Sequence, residues 1–317
     1  MNDATRSRLE DESLAARVSR FHLRQRLGIE DAAETRIFGQ GRNVFHIENW
    51  HFAHSVIRMA LHLIGLHGRG RRNALRIELR HNEIPIAGLP SSFDGFTLLH
   101  LSDMHLDMHD DFPRALIERL READYDVAVM TGDFRAKTYG PLEPTVNALR
   151  LVRPHVKNAV YAVLGNHDSL RMVPYFESMG IQVLLNESVK IERGGAAIYL
   201  AGIDDPHYFR TDNMEKAAEG IPPDAVSVLL AHSPEIYRQA AHAGFSVMLC
   251  GHTHGGQICL PGGIPLMVNA RCPRRYCKGS WRYHALAGYT SAGSGVSMVD
   301  VRLNCPPEIT LHRLRAL

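Results

Sequence analysis

The sequence lacks three features that would place it in other classes of protein. No uncharged apolar run reaches the roughly 18 residues that a membrane-spanning helix needs. Residues 1–21, MNDATRSRLEDESLAARVSRF, mix both charge signs and contain no apolar centre of a secretory signal. With 36 basic and 34 acidic residues the net charge is +2, so the composition indicates no nucleic-acid partner. We therefore expect a cytoplasmic protein.

Cysteine is also scarce, with five residues that all lie in the last quarter of the chain. An odd number argues against a disulfide framework, and no second cysteine pair accompanies Cys272 and Cys277 as a zinc finger would require. We interpret the cysteines as reduced thiols, with structural zinc at Cys272 and Cys277 as the lesser alternative. Cys250 is expected to point into the core.

The residue type in excess is histidine, with 19 in 317 residues. Imidazole is the commonest metal ligand in proteins, so this excess favours a metal site without locating it. The chain divides into an N-terminal extension, residues 1–94, and a catalytic domain, residues 95–317, in which short apolar runs each end in Gly, Asp or His.

The extension contains one strongly amphipathic segment, WHFAHSVIRMALHLIGL, which predicts a helix at about residues 50–66. A basic segment with arginines at 69, 71, 72, 76 and 80 follows it. A wide apolar face beside a basic cluster is typical of a helix on an anionic membrane surface. Two interpretations stay open: peripheral membrane contact through residues 50–80 at the inner face of the membrane, or a helix docked on the catalytic domain beside a solvated basic turn.

Six apolar segments of the catalytic domain read as buried strands, and a helix-period segment begins at Pro113 between the first two. This rhythm predicts an α/β fold. The tail from Tyr289 to Leu314 is expected to be rich in strands. Because ligands bind beyond the carboxyl ends of strands in such sheets, the polar residues that end each strand can converge. The strands and their ends are FTLLHLSD, DVAVMTGD, AVYAVLGNHD, AAIYLAGIDD, VSVLLAHSPE and SVMLCGHTHGG.

Taken singly, most of these strand ends are weak signals. An isolated Asp-x-His, as at Asp103 and His105, is common by chance; Asp133 could cap a helix; and His232 could be an ordinary hydrogen-bonded histidine. The segments Gly165-Asn166-His167-Asp168 and Gly251-His252-Thr253-His254 are more specific, because glycines free the backbone around several metal-capable side chains. Asp204 and Asp205 also end a strand.

In this order, the motifs D-x-H, G-D, G-N-H-D, H and G-H-T-H resemble the calcineurin-like metallophosphoesterase family, in particular its bacterial YkuE/YaeI-type phosphodiesterase branch. The resemblance covers about residues 95–317. It implies a four-layer sandwich of two mixed β-sheets flanked by helices, to which this chain adds an N-terminal helical extension.

The resemblance also implies roles for the matching residues. One metal would be held by Asp103, His105 and His254, a second by Asn166, His232 and His252, and Asp133 would bridge both. His167 would act at the phosphoryl group, with Asp168 orienting its ring. The mixed oxygen and nitrogen ligands suit two divalent ions such as Mn, Fe or Zn.

Elementary chemistry agrees with this division of roles. A phosphate ester repels nucleophiles because it is anionic, and two divalent ions about 3.5–4 Å apart neutralise that charge. A water that bridges them loses a proton near neutral pH, which gives a metal-bridging hydroxide for attack at phosphorus. Arg135 is the predicted substrate-binding residue; Lys137 could share that role or lie at the surface. A loop with Arg271, Arg274 and Arg275 could form a wall for the substrate or a solvated flap.

The leading hypothesis is hydrolysis of a phosphodiester or pyrophosphate, with a lipid-linked compound such as UDP-diacylglucosamine as the preferred substrate. Protein or nucleotide phosphomonoesterase activity is the alternative within the same chemistry. A non-catalytic binding module with the same fold is less favoured, because all seven predicted ligands and His167 are present.

Overall fold

A computed structural model describes the backbone of residues 14–38 and 51–317, and the side chains of residues 14–34 and 55–317. Residues 1–13 and 39–50 lie outside the described residues, and they include parts of the predicted polar N-terminal zone and the first residue of the helix predicted at about 50–66. Over the described ranges, none of the helices combines the length and apolar character needed to cross a bilayer.

Short helices alternate with strands over most of the chain, and helical residues 14–18 precede the first of them. The α-helices are α1 (Arg20–Phe38), α2 (His51–Leu63), α3 (His67–Ala74), α4 (Phe112–Leu120), α5 (Glu143–Val152), α6 (Val173–Ser178), α7 (Met214–Ala218) and α8 (Tyr237–His242). The strands are β1 (Glu78–Ile86), β2 (Thr97–Leu101), β3 (Val127–Thr131), β4 (Ala159–Val163), β5 (Ile181–Val183), β6 (Glu187–Arg193), β7 (Ala196–Gly202), β8 (Ser227–Leu230), β9 (Val247–Cys250), β10 (Cys259–Leu260), β11 (Ile264–Pro265), β12 (Gly279–Tyr283), β13 (Leu286–Thr290) and β14 (Glu308–Ala316).

The strands form two six-stranded mixed sheets and a small hairpin. The first sheet has the order β1-β14-β2-β3-β4-β5, and the second has the order β12-β13-β9-β8-β7-β6. In the first sheet β2, β3, β4 and β5 run parallel, while β14 runs antiparallel to β2. In the second, β7, β8, β9 and β13 run parallel between two antiparallel edge strands. The predicted sandwich of two mixed sheets is confirmed.

The direction of the side chains alternates along the strands and shows which core each side chain packs into. On β3, Val127 and Val129 face the core between the sheets, whereas Ala128 and Met130 face the core under the helices. On β9, Val247 and Leu249 face the same central core, and the intervening residues face a third core beneath α8. Because successive side chains of a strand point to opposite faces, a strand buried on both faces must be apolar throughout.

The six predicted strands correspond to β2, β3, β4, β7, β8 and β9, and the helix predicted to begin at Pro113 is α4. The tail differs from the prediction. Only its two ends are strands, β13 and β14, and the stretch between them is a loop with one isolated bridge, Leu303 to Ile258. This loop contains three buried residues that pack on α2, so tertiary contacts order it instead of a sheet.

The N-terminal extension is not separate from the sheets. β1 pairs in parallel with β14 from Glu78 to Ile86, so residues 78–86 form an edge strand of the first sheet although the predicted boundary at residue 94 leaves them in the extension. The basic run that was expected as a turn is the helix α3, whose Asn73 donates a hydrogen bond to the Arg302 carbonyl oxygen.

Of the two interpretations of the amphipathic helix, docking on the catalytic domain describes part of α2, and membrane contact stays a prediction. Leu61 is buried against Val299, Val301 and Leu303 of the tail loop, so the helix does dock on the catalytic domain. The rest of its apolar surface remains in solvent. The exposed apolar side chains of α2 and the residue that follows it are Val56 (41% exposed), Met59 (58%), Leu63 (81%) and Ile64 (65%).

Candidate metal centre

The predicted ligands lie together where the two sheets meet. The carboxyl ends of the parallel strands β2, β3 and β4 point toward the same end of the sandwich as those of β8 and β9, so the loops that follow them converge. Each loop contributes buried polar side chains: Asp103 and His105 after β2, Asp133 after β3, Asn166 and His167 after β4, His232 after β8, and His252 and His254 after β9.

The first group of candidate ligands is Asp103, His105 and His254, whose ligand atoms all lie within 4.8 Å of one another. The Nε2 atoms of the two histidines are 3.1 Å apart, and His254 Nε2 is 3.4 Å from Asp103 Oδ1. These are the residues predicted to hold the first metal.

The second group is Asp133, His232 and His252, again with all ligand atoms within 4.8 Å. His232 Nε2 is 3.1 Å from His252 Nδ1 and 2.9 Å from Asn166 Oδ1, which adds the predicted amide ligand to the group. Asp133 Oδ2 lies 3.3 Å from His232 Nε2 and 3.8 Å from His105 Nε2, between the two groups. This position suits the bridging role, which stays a prediction.

Unusual backbone geometry marks the same residues. The φ angles of Asp103, His105, Asp133, His252 and His254 are 50°, 41°, 55°, 70° and 50°, all in the left-handed region. Residues with a Cβ atom adopt this conformation at a cost in free energy, and such residues cluster at functional sites. The loops after the strands therefore adopt a strained backbone conformation, which directs their side chains toward one place.

A close approach between the two sheets explains the glycine before the first histidine of the G-H-T-H loop. A Cβ atom on Gly251 would lie 1.9 Å from Ser102 Oγ and 2.2 Å from Asp103 Oδ2. No other residue fits there without displacing the carboxylate, because contacts below 3 Å are repulsive for carbon. The backbone N–H of His252 donates to Asp103 at 3.0 Å, which joins the two loops directly.

The donor set of the second group fits a metal ion. His232 Nδ1 lies 2.8 Å from the carbonyl oxygen of Thr131, so that nitrogen carries a proton and Nε2 faces the other candidate ligands. Asn166 Oδ1 and Asp133 Oδ2, which are acceptors, face the same Nε2. Acceptors that converge on one nitrogen need a positive charge between them, which either a proton on Nε2 or a divalent cation supplies. His105 is oriented in the same way by the Arg135 carbonyl oxygen at 2.7 Å.

The pKa values of the candidate ligands are shifted in both directions. Burial alone would lower the pKa of His232, but the carboxylates of Asp133 and Asp103 outweigh it and raise this pKa to about 10. Burial raises the pKa of Asp103 to about 6, whereas the surrounding imidazoles hold the pKa of Asp133 well below its usual range. Burial lowers the pKa of His105 to about 4, so this ring remains a neutral ligand above that pH.

His167 lies beside the metal ligands, with Nε2 3.8 Å from Asp133 Oδ2. Within the described part of the chain, His167 Nδ1 is buried without a hydrogen-bond partner, so the expected bond from Asp168 to this ring nitrogen is absent. The Asp168 carboxylate instead accepts hydrogen bonds from the backbone N–H groups of Gly165, Asp133 and Phe134, at 2.8, 2.7 and 2.9 Å. Asp168 thus joins the loops after β3 and β4, and the predicted orienting role is wrong in this respect.

The predicted substrate-binding residue, Arg135, is buried, and its guanidinium donates to the Gly140 carbonyl oxygen at 3.1 Å. It is not among the residues that line the cavity beside the metal ligands. Its role in substrate binding stays a prediction, while its carbonyl oxygen orients His105. Lys137 is exposed, in agreement with a surface position.

Asp204 and Asp205 end β7 but do not join either group of ligands. Asp204 contacts His22 and Thr211, and Asp205 accepts the backbone N–H groups of Tyr208 and Phe209. The expectation for Cys250 is met, since it is fully buried. Cys272 and Cys277 are free thiols with sulfur atoms 3.6 Å apart.

Two polar residues that support the ligands have no motif to reveal them. Ser102 Oγ donates to Asp103 Oδ2 at 2.5 Å. Arg302, fully buried in the tail loop, donates to the carbonyl oxygen of His254 at 3.2 Å and lies 3.3 Å from its Nδ1. Ser102 is at least adjacent to the D-x-H motif, whereas Arg302 lies 48 residues from its partner and gives no sequence signal.

A cavity of about 400 Å³ opens beside the metal ligands. One end is formed by Asp133, Asn166, His167 and the G-H-T-H loop, and the remaining wall is largely apolar. That wall comes from α2, the residue before β10, the loop after β11 and the tail loop, and it contains Ile57, Ala60, Leu61, Ile258, Leu266, Met267, Met298 and Val299.

Comparison with known proteins agrees with this geometry. The family model described as calcineurin-like phosphoesterase matches residues 96–256. Metallophosphoesterase YkoQ of Bacillus subtilis (strain 168) is 31% identical over 237 residues, which cover 72% of this chain and 86% of YkoQ. Phosphodiesterase YaeI of Escherichia coli (strain K12) is 27% identical over 237 residues, which cover 69% of this chain and 82% of YaeI.

The chain belongs to the calcineurin-like phosphoesterase family and is a metal-dependent phosphoester hydrolase. It is also 32% identical over 248 residues to a transmembrane protein with a metallophosphoesterase domain from Danio rerio, covering 72% of this chain. The chain spans about half of that relative, 55% of its length. The predicted family and branch are confirmed.

Proposed function

We propose that this chain is a two-metal phosphodiesterase or pyrophosphatase whose substrate carries a lipid. The observation that carries the proposal is the cavity, in which metal-capable side chains at one end adjoin an apolar wall. A phosphoester and a hydrocarbon chain on the same molecule would match the two ends.

The candidate ligands define the catalytic end. Asp103, His105 and His254 would hold one ion, Asn166, His232 and His252 the other, and Asp133 both. When bound, the two ions would neutralise the phosphoryl charge and lower the pKa of water. His167, which lines the cavity without being needed as a ligand, would protonate or hydrogen-bond the leaving oxygen.

The apolar end supports a lipid-linked substrate over a nucleotide or a phosphoprotein. Sugar and nucleobase sites need several hydrogen-bonding groups, whereas side chains such as Ile57, Met267 and Val299 offer mainly apolar area. Burial of a hydrocarbon chain against this wall gains about 0.8 kcal/mol for each CH₂ group. UDP-diacylglucosamine is one compound with the required combination.

The same surface supports a peripheral membrane contact. The exposed apolar residues of α2 lie beside the cavity wall, and those of the β10–β11 hairpin extend it: Leu260, Ile264, Leu266 and Met267, each between 48% and 59% exposed. Exposed arginines of α3, among them Arg69 and Arg72, would meet anionic headgroups. We place this contact at the inner face of the membrane.

The test of catalysis is a substrate panel on the Mn-loaded full chain with an aryl phosphodiester, an aryl phosphomonoester and UDP-diacylglucosamine. We expect hydrolysis of the lipid-linked pyrophosphate to exceed both aryl substrates in kcat/KM. Asp133→Asn should abolish turnover, and His167→Ala should lower kcat by about 10² to 10⁴ without loss of metal. Preference for the monoester would favour the phosphomonoesterase alternative.

The test of the apolar wall is Met267→Asp, assayed with a water-soluble short-chain analogue so that membrane binding plays no part. We expect KM to rise about ten-fold, because about 1.4 kcal/mol of binding free energy from apolar burial is lost. Hydrolysis of the aryl diester should be unchanged. Leu260→Asp is the matched control, because Leu260 is exposed on the same hairpin but does not line the cavity. Equal KM values for both variants would refute the lipid-binding wall.

A further inference from the structure

The first described helix contacts the loop that carries the predicted catalytic histidine. Arg26 of α1 has a fully buried side chain, and its NH2 group donates to the carbonyl oxygen of Asp168 at 3.0 Å. Asp168 follows Asn166 and His167 directly in the chain. A residue 142 positions away thus holds the end of the G-N-H-D segment.

Glu30, one turn further along α1, contacts the next part of the same loop. It accepts hydrogen bonds from Ser169 Oγ at 2.5 Å and from the backbone N–H of Leu170 at 2.9 Å. Arg26 NH1 donates to Glu30 at 2.7 Å, which fixes the two α1 side chains relative to each other. Residues 168–170 are therefore bonded to α1 at three consecutive positions.

The opposite side of Arg26 contacts the second sheet. Its Nε atom donates to Asp204 at the end of β7 at 3.4 Å, and the guanidinium carbon lies 3.2 Å from the ring centroid of Phe209. His22 lies 3.0 Å from the same carboxylate. Since β4 belongs to the first sheet and β7 to the second, Arg26 connects the loops of both sheets behind the metal ligands.

We infer that α1 is a positioning element of the active site, in which Arg26 and Glu30 set the place of Asn166 and His167. The inference rests on the roles proposed above for those two residues. The loop is held on one side by the Asp168 carboxylate, which binds backbone groups around Asp133, and on the other by α1.

The chemistry of the contact between α1 and the loop indicates that α1 fixes the position of the loop and does not only attach to it. Buried charges cost desolvation free energy, and well-packed apolar residues would attach a helix at least as firmly. A guanidinium and two carboxylates instead specify direction, since each hydrogen bond constrains an angle as well as a distance. A catalytic group needs that precision, because a misplacement of about 1 Å can cost about 10² in rate.

The experiment compares variants of the Mn-loaded full chain. Arg26→Met removes the guanidinium but leaves the Asp204 carboxylate buried without this cation, so the double variant Arg26→Met with Asp204→Asn is tested beside it to preserve folding. Glu30→Gln and the conservative Arg26→Lys complete the set. Arg24→Met is the matched control, because Arg24 is an exposed arginine two residues away on the same helix.

We expect the double variant to lower kcat on the aryl diester about ten-fold or more per metal-loaded chain, with KM within two-fold. Glu30→Gln should have a smaller effect, Arg26→Lys should restore part of the loss, and Arg24→Met should match the wild type. A kcat that falls only in proportion to the unfolded fraction would mean that α1 is merely structural and would overturn the inference.

A calorimetric Mn titration separates this inference from the proposed function. Weaker binding of the second ion in the double variant, at a site that includes Asn166, supports positioning even if the wild-type chain does not hydrolyse the diester. Unchanged affinity for both ions together with unchanged kcat per chain would overturn the inference while the proposed function stands.

Discussion

The helices α1 and α2 are attached to the catalytic domain in opposite ways. α1 is bonded to the active-site loops through buried charges, with Arg26 fully enclosed between Asp168, Asp204 and Phe209. Among the described side chains of α2, residues 55–63, Leu61 is buried and Ile57 packs beside it, whereas most of the other apolar side chains remain in solvent.

The difference shows that hydrophobic patterning and attachment to the site are separate properties. The amphipathic pattern of α2 predicts a helix correctly, yet its apolar face is only partly used by the fold, which leaves area for a ligand or a membrane. α1 has almost no such pattern, and its polar residues carry the contacts. The predictions that follow test this contrast, beginning with the largest effect.

Loss of the α1 guanidinium should have the greatest effect on stability. Arg26→Met leaves the Asp204 carboxylate buried without its main partner, and we expect the free energy of unfolding to fall by about 3–5 kcal/mol. Urea denaturation at pH 7 measures the change. Arg24→Met, at an exposed position of the same helix, should stay within about 0.5 kcal/mol. A comparable loss in both variants would contradict the proposed difference between buried and exposed arginines.

Loss of the buried leucine of α2 should have a smaller effect. Leu61→Ala removes the contact with Val299, Val301 and Leu303. We expect the free energy of unfolding to fall by about 2 kcal/mol, which is the low end for a buried leucine, because α2 lies at the surface. Leu63→Ala, at a position 81% exposed, should change stability by less than 0.5 kcal/mol. Equal effects would mean that α2 is not docked through Leu61.

Acid should weaken the attachment of α1 to the fold. Burial would raise the pKa of Asp204, but Arg26, His22 and a hydrogen bond from Thr211 outweigh it and hold this pKa well below the usual value. The folded state therefore binds fewer protons than the unfolded state, so this contribution is present above the unfolded pKa of about 3.9 and is lost as the pH falls below it.

The measurement is the free energy of unfolding at pH 7 and pH 3 for the wild type and for Asp204→Asn. We expect the variant to lose less stability between the two pH values than the wild type. Asp31→Asn, which removes an exposed carboxylate of α1, serves as the control and should leave the pH dependence unchanged. An identical slope in Asp204→Asn and the wild type would rule out this residue as the source.

Charges on the exposed face of α2 should leave stability almost untouched. Leu63→Asp with Ile64→Asp is expected to change the free energy of unfolding by less than about 0.5 kcal/mol and to leave turnover of the aryl diester at the wild-type level. Sedimentation with vesicles that contain anionic lipid should fall several-fold, because apolar burial in the interface is lost. Leu151→Asp, an exposed leucine of α5, is the control. Undiminished sedimentation would disprove membrane contact through α2.

Most of the catalytic sheet could be predicted from the sequence because strands buried on both faces must be apolar, and because polar residues interrupt them where the loops begin. The two groups of candidate metal ligands were predicted from that pattern together with the family resemblance. The strand β1 was missed: in ELRHNEIPI only Ile84 and Ile86 are buried, so an edge strand with a solvated face resembles a loop.

The orienting role of Asp168 failed for a related reason. Adjacent residues in a loop suggest contact between their side chains, but the direction of each side chain depends on the backbone. Here the Asp168 carboxylate turns back toward the N–H groups after β3, where unpaired buried donors would cost more free energy than the histidine ring gains from a partner.

By itself the sequence determined six of the strands along the chain and the identity of the metal-capable residues, since both depend on local composition and on short spacing along the chain. Only the tertiary structure decided which distant residues support them: Arg26 from the first described helix, Arg302 from the tail loop, and the apolar wall from α2. These contacts join positions far apart in the chain, so no local pattern marks them. Their selection depends on packing between the two sheets, which brings the loops within hydrogen-bonding distance.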